Sequence, residues 1–328
     1  MQNPDDIANG LSHLSIEQLR RLRAKTKDIV PATKPAASGH TSTAVRDGVF
    51  TPTPRPDAKY RLLCLPYAGG SSSTYVKWGP ALDPDIELVC VDPPGRGTRF
   101  GETRIGDVSR LSMRLAEELL PSLDRPFMLL GHSNGALLAF ELARQLRAHG
   151  RLPHIFFASA KRAPSRVKET GNWHALPDDL LVAFLRATGI GQPEFYENRE
   201  LVDLYLPTLR ADLSLSETYR YHAAAPLDAH LVTLRGSDDH GMDEDDLRSW
   251  AIEFTGSVKH FPISGGHFAI EKQAGQFIES VNRAVQDLMP DGFRDSRVGL
   301  GKQSVAGANQ DSDQQRCGHQ GRDDCNNH

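Results

Sequence analysis

The chain predicts an α/β fold: a mostly parallel central sheet with helices on both faces and a helical segment inserted between two strands. Three observations carry this. From about residue 59 to 289, apolar strand-like runs alternate with amphipathic helical patterns, the order that builds parallel sheets from strand–helix–strand units. The pentapeptide Gly131-His132-Ser133-Asn134-Gly135 lies between the apolar run 127–130 and a helix-forming stretch with Leu138, Leu142 and Leu146 one turn apart. Between about 170 and 225 the alternation stops, and two amphipathic segments, 176–185 and 200–206, take its place.

The elements follow in order. Residues 60–65 read as a strand, followed by a Gly/Ser-rich turn and a short helix near Thr74. The next strand, 86–91, ends in Asp92-Pro93-Pro94-Gly95-Arg96-Gly97. Val108, Leu111, Leu115 and Leu119 form a stripe at helical spacing, which predicts a helix over about 107–122. The strand and helix around Ser133 come next, then strands at 155–158, 230–234 and 258–261, with helices near 244–254 and 274–288. Ahead of this domain, residues 1–58 read as a polar Pro/Thr/Ala-rich extension with one amphipathic segment, 14–23. There Ser15 caps, Gln18 follows three residues on, and Leu19 and Leu22 share a face. The segment fits a docking helix for a partner or a helix packed on its own domain. Residues 290–328 hold almost no large apolar side chains and are expected to be disordered.

Composition excludes several classes. The formal net charge of −4 and the lack of a Lys/Arg block leave no footprint for nucleic acid or a membrane surface. No run approaches the roughly 18 consecutive apolar residues of a membrane span, and the N-terminus lacks the basic and apolar regions of a secretory signal. Cys64 and Cys90 lie in strand-like runs, where buried free thiols and a cytoplasmic setting are expected. Cys317, His319, Cys325 and His328 match no common zinc spacing, so no metal site is assigned. The expected chemistry needs no cofactor, and a monomer is the expectation.

A strand that turns through G-x-S-x-G into a helix is the nucleophile elbow of α/β-hydrolases. The turn presents Ser133 above the sheet, with a helix N-terminus beneath it that favours developing negative charge. A serine hydroxyl needs a base to take its proton, and the base needs a carboxylate to orient it. In this fold the order along the chain is serine, acid, histidine. Asp238 and Asp239 follow the strand 231–234 and the turn at Gly236, with Asp239 the preferred acid; His267 follows 261–263 and Gly265-Gly266. His132, His240 and His260 are weaker as bases: the first would point away from the serine, and the others lack the Gly-Gly approach. The oxyanion hole is expected from the N–H of Asn134 and that of Ala68, with Tyr67 as the alternative, in Leu65-Pro66-Tyr67-Ala68-Gly69-Gly70. This loop lacks the lysine of a phosphate-binding P-loop.

Several segments together resemble the type II thioesterases of polyketide and nonribosomal peptide synthesis. They are 63–70, Pro94-Gly95-Arg96-Gly97, the elbow through Ala136, Ala163-Pro164, 206–212, 217–221 and Gly265-Gly266-His267-Phe268. The resemblance covers about 59–289. It implies Ser133 as nucleophile, Asp239 as acid and His267 as base, and a helical lid over about 170–225. It also implies an acyl substrate carried on the phosphopantetheine arm of an acyl or peptidyl carrier protein, hydrolysed to free blocked carriers. Two positions depart from the family pattern: Asn134 stands where Met is usual, and His240 where Pro is common, which bears on substrate preference. A product-releasing thioesterase that hydrolyses or cyclises shares the same residues. A carboxylester hydrolase and a non-catalytic binding module are the other readings.

Overall fold

The computed structural model describes residues 48–166, 171–187 and 193–289. The amphipathic segment 14–23 and the whole of 290–328, with Cys317, His319, Cys325 and His328, lie outside the described residues. Seven strands run through the domain: β1 (Val49–Phe50), β2 (Tyr60–Leu65), β3 (Ile86–Val91), β4 (Phe127–His132), β5 (Ile155–Ser159), β6 (His230–Gly236) and β7 (Val258–Ile263). They form one sheet in the order β1-β3-β2-β4-β5-β6-β7. All pairs are parallel except β1, which meets β3 antiparallel with Val49 opposite Val91 and Phe50 opposite Cys90. The central strands β3, β4 and β5 are buried at every position. That is why they read as continuous apolar runs rather than as alternating ones.

Strand β1 falls in the stretch that composition assigns to the extension. Its two residues are too few to leave a periodic signal, and Pro and Thr surround them. Side-chain hydrogen bonds hold the following segment down. The Arg55 guanidinium donates to the carbonyls of Gly79, Leu82, Asp83 and Ile86, and the Arg55 backbone N–H donates to Glu87 Oε1 at 2.9 Å.

The helices are α1 (Val108–Leu119), α2 (Asn134–Ala148), α3 (Asp178–Ala187), α4 (Pro193–Glu197), α5 (Arg199–Glu217), α6 (Glu244–Arg248), α7 (Ala269–Lys272) and α8 (Ala274–Leu288). Asp107 caps α1 by accepting from the Arg110 N–H at 2.7 Å. The predicted stripe Val108, Leu111, Leu115 and Leu119 is buried in the main core, as are Leu138, Leu142 and Leu146 of α2. The segment near 244–254 divides into α6 and a 3-10 turn, Ser249–Glu253.

Helices α3 to α5 are the insertion between β5 and β6. They bury a cluster of their own, in which Leu181, Leu185, Phe195, Leu206 and Leu209 pack with Phe100 from the loop after β3. A fully buried leucine such as Leu181 contributes on the order of 2 kcal/mol by apolar burial. Helix α5 is far longer than the segment 200–206 read from sequence. Pro207 reads as a helix end, yet α5 continues through it to Glu217. Burial of Leu201, Leu206, Leu209 and Leu213 on one side of the helix outweighs the hydrogen bond the proline gives up.

Strand β2 has β3 on one side and β4 on the other, so the chain changes direction across the sheet between them. The loops after β2 and β4 open at this switch point, where doubly wound sheets place their ligands.

Candidate active site

The elbow is held by sterics. A Cβ on Gly131 would stand 2.2 Å from the Gly135 carbonyl oxygen, and one on Gly135 would stand 2.4 Å from that of Leu65. Only hydrogen fits at both positions, so strand β4 and helix α2 can meet at this angle. Ser133 itself adopts φ 52 and ψ −121, a conformation that costs a non-glycine residue about 1–3 kcal/mol. Its N–H is fixed by the Ser159 carbonyl at 2.8 Å. Ser133 thus stands at the tip of β4, immediately ahead of α2, and the residue is partly accessible.

The acid and base come from the ends of β6 and β7. Gly236 lets their loops touch, because a Cβ there would lie 2.3 Å from the Gly265 carbonyl oxygen. Asp239 is buried, and its Oδ2 accepts from His267 Nδ1 at 2.9 Å, while Oδ1 accepts from the Gly241 N–H at 3.1 Å. Burial alone would raise the Asp239 pKa. The His267 hydrogen bond and charge, with the Gly241 N–H, outweigh it and hold the carboxyl below its ordinary value. Asp238 is exposed and bonds the adjacent Ser237 hydroxyl. Of the two aspartates weighed from sequence, Asp239 is the one paired with a histidine.

The other histidines are occupied differently. His132 is buried with Nδ1 on the Ser159 hydroxyl at 2.8 Å. Burial, reinforced by nearby His267, pushes its pKa down to about 3. It is therefore neutral at ordinary pH, and it packs as a ring, with centroids 5.4 Å from His267 and 5.7 Å from Tyr67. His260 shares a hydrogen bond with Thr233, and His240 is exposed. His267 Nδ1 is committed to Asp239, which leaves Nε2 for the serine side. Among the described residues no hydrogen bond joins Ser133 to His267; such contacts commonly tighten only when substrate binds.

Among the described residues neither the Ala68 nor the Asn134 N–H is given to a protein acceptor. The loop carrying Ala68 is pinned at its neighbours. Tyr67 donates its hydroxyl to Glu271 at 2.6 Å, and the Gly69 N–H donates to Asp212 Oδ2 at 2.6 Å.

Three groups close to this site have no role that spacing assigns them, although Asp92 and Asp212 lie in segments with sequence signals of their own. Asp212, on α5, is buried and paired with the Arg96 guanidinium. Lys161 is buried after β5 and donates to Asn134 Oδ1 at 3.0 Å. Burial, with repulsion from Arg162, pushes its pKa down to about 8. Asp92 is fully buried and accepts from Ser72 and Thr98, joining the loops after β2 and β3. Arg96 and Asp212 stand 116 residues apart, so only the fold reveals the pair.

Strand order, elbow and Asp–His pair define a hydrolase of the α/β-hydrolase fold. The family model described as "Thioesterase domain" matches residues 60–285, and the chain belongs to that family. Gramicidin S biosynthesis protein GrsT of Aneurinibacillus migulanus is 33% identical over 224 residues, 68% of this chain and 87% of that protein. Thioesterase PikA5 of Streptomyces venezuelae is 32% identical over 247 residues, 75% of this chain and 87% of that protein. Among solved structures, the type II thioesterase BorB from the borrelidin biosynthetic cluster superposes with a TM-score of 0.66 at 32% identity, covering 74% of this chain and 98% of that one.

Proposed function

We propose that this chain hydrolyses acyl thioesters held on the phosphopantetheine arm of an acyl or peptidyl carrier protein, clearing blocked carriers in polyketide or nonribosomal peptide assembly. The observation that carries the reading is the hydrogen-bonded Asp239–His267 pair at the same sheet edge as the strained Ser133 elbow. The biosynthetic relatives named above supply the pathway. Cys64 and Cys90 stand in register on β2 and β3 and are both free thiols, which supports a reducing, cytoplasmic setting.

His267 Nε2 takes the Ser133 proton as Oγ attacks the thioester carbonyl, and Asp239 stabilises the imidazolium through Nδ1–H. The tetrahedral oxyanion is held by the N–H groups of Asn134 and Ala68, with the N-terminus of α2 adding favourable potential. The C–S bond then breaks, and the departing thiolate takes the proton from His267. Water, deprotonated by His267, attacks the acyl-serine; the acyl–Oγ bond breaks, His267 returns the proton to Ser133 Oγ, and the carboxylic acid leaves. Helices α3 to α5 act as the lid that surrounds the acyl chain and limits water until substrate is seated.

The test offers purified protein three substrates: acyl-phosphopantetheinyl carrier, a free acyl thioester and a free carboxylic ester, with Ser133→Ala as control. Carrier hydrolysis with loss of activity in Ser133→Ala is the expected result. Turnover of the ester without turnover of the carrier overturns the reading in favour of a carboxylester hydrolase. A macrocyclic or amide product moves it to product release.

A further inference from the structure

Helix α5 is bound to both strand-end loops that supply the oxyanion donors, and one residue makes most of the connection. Asp212 is buried at 1% exposure. Its Oδ2 accepts from the Gly69 N–H at 2.6 Å, one residue beyond Ala68, and from Arg96 Nη1 at 3.0 Å. Its Oδ1 accepts from Arg96 Nη2. Arg96 Nη1 also lies 3.5 Å from the Gly70 carbonyl, so the ion pair holds the Ala68 loop by an N–H and a C=O together. On the other side, the backbone carbonyl of Asp212 accepts from Asn134 Nδ2 at 2.9 Å. Ser216, one turn further along α5, donates to Asn134 Oδ1.

Oxyanion stabilisation depends on donors held in place before charge develops, and a misplaced donor forfeits much of its effect. The Ala68 N–H lies on a Gly-rich loop anchored before it by Tyr67, whose ring packs on His132 and Phe268, and after it by the Gly69 N–H on Asp212. Asn134 starts a helix that meets the end of β2 and the start of that loop backbone to backbone, through Gly135 against the Leu65 and Pro66 carbonyls. Asp212 bridges the two through a single residue.

We propose that Asp212 is the positioning residue of the oxyanion hole. Paired with Arg96, it sets the distance between the Ala68 and Asn134 donors and makes that distance depend on the seating of α5. The inference rests on the proposed hydrolytic role of Ser133. Movement of the insertion would then change catalysis itself, and not only access to the acyl pocket.

The experiment compares Asp212→Asn and Arg96→Lys with wild type on a free acyl thioester, with rates expressed per active site titrated by a fluorophosphonate. Titration removes any loss from unfolded protein. Affinity for an acyl trifluoromethyl ketone, which forms a tetrahedral oxyanion on Ser133, is measured alongside. Lys59→Gln is the control; it cuts a surface ion pair to Asp85 outside the insertion and the site. The expected result is a fall in kcat per site of roughly 10- to 100-fold, somewhat below the loss of a whole oxyanion donor. KM changes by less than about threefold, and ketone affinity falls in parallel with kcat/KM. The control stays at wild-type values. Wild-type kcat per site and ketone affinity in the variants overturn the proposal. If Asp212→Asn does not fold, Arg96→Lys decides, since it keeps the charge and loses only the two-pronged geometry. Persisting activity in Ser133→Ala would instead overturn the hydrolytic reading beneath it.

Discussion

The elbow and the helical insertion are held by different physics. At the elbow, backbone meets backbone: Gly131, Gly135 and Gly236 sit where any Cβ would strike a carbonyl oxygen of a neighbouring segment. Position there follows from local sequence and from the sheet. The insertion instead packs through a side-chain cluster of its own and reaches the site through polar side chains, Arg96, Asn134, Asp212 and Ser216. A backbone-locked site tolerates almost no substitution at its glycines. A side-chain brace can be weakened in graded steps, which makes it the adjustable half of the site.

The largest expected effects test the backbone-locked half. Ser133→Ala should leave circular dichroism unchanged and reduce thioester turnover by about 10⁶-fold, the scale for losing the nucleophile of a triad. Turnover within tenfold of wild type would remove Ser133 from the mechanism. Asp239→Asn should lower kcat by about 10⁴-fold through the wrong histidine tautomer, while Asp238→Asn, at an exposed side chain, should change it by less than about twofold. Equal losses in the two variants would contradict the assignment of the acid.

Next in size is the steric lock. Gly135→Ala drives a methyl against the Leu65 and Pro66 carbonyl oxygens at 2.4 and 2.6 Å. A fall in unfolding free energy of more than about 4 kcal/mol is expected in urea, the range reserved for severe core damage. A loss under about 1 kcal/mol would mean that strand β4 and helix α2 can separate, and that the elbow is softer than the contacts imply.

How much could be read beforehand follows the same division. Strands β2 and β3 were legible to the residue because burial on both faces leaves continuous apolar runs. Ser133 and His267 were legible because the turn chemistry around them is local. Strand β1 leaves no signal in the sequence, since two backbone pairs need no side-chain pattern. The sequence pattern shows only 200–206 of α5, whereas tertiary packing carries the helix through Pro207 to Glu217. The Arg96–Asp212 pair left no trace in spacing, since long-range ion pairs depend on a fold already formed. Lys161 was likewise unremarkable in sequence, and its burial beside Asn134 is visible only in three dimensions.

His132 separates the two halves by pH. Its ordinary pKa of 6.5 falls to about 3 in the folded state because of burial. Between those values the unfolded chain binds a proton that the folded chain refuses, so stability declines as pH falls, by up to about 1.4 kcal/mol per unit. Asp239 is also depressed, but from 3.8, so its contribution is lost only below about pH 4. Urea melts at pH 7 and pH 5 should therefore show a loss in wild type that shrinks in His132→Asn, which retains a partner for the Ser159 hydroxyl. An undiminished loss in the variant would assign the acid sensitivity to another group.

The smallest effect concerns Lys161, which joins the brace from behind. Its ammonium is buried, and among the described residues it has no carboxylate partner; its side-chain contact is Asn134 Oδ1. Burial and the nearby Arg162 lower its pKa from 10.5 to about 8. A lysine lowered in this way disfavours the folded state wherever it is charged: the penalty is complete below about pH 8 and fades as pH rises towards 10.5. Lys161→Met fills similar volume without the charge and should raise stability at pH 7 by on the order of 1 kcal/mol, with the gain shrinking at pH 10. Asn134 would keep Asp212 and Ser216 as partners, so kcat should change by less than about threefold. Urea melts at the two pH values, with thioester kinetics alongside, separate the outcomes. A large loss of kcat with stability unchanged would make Lys161 a full member of the brace, and the adjustable half of the site would then extend from α5 to the end of β5.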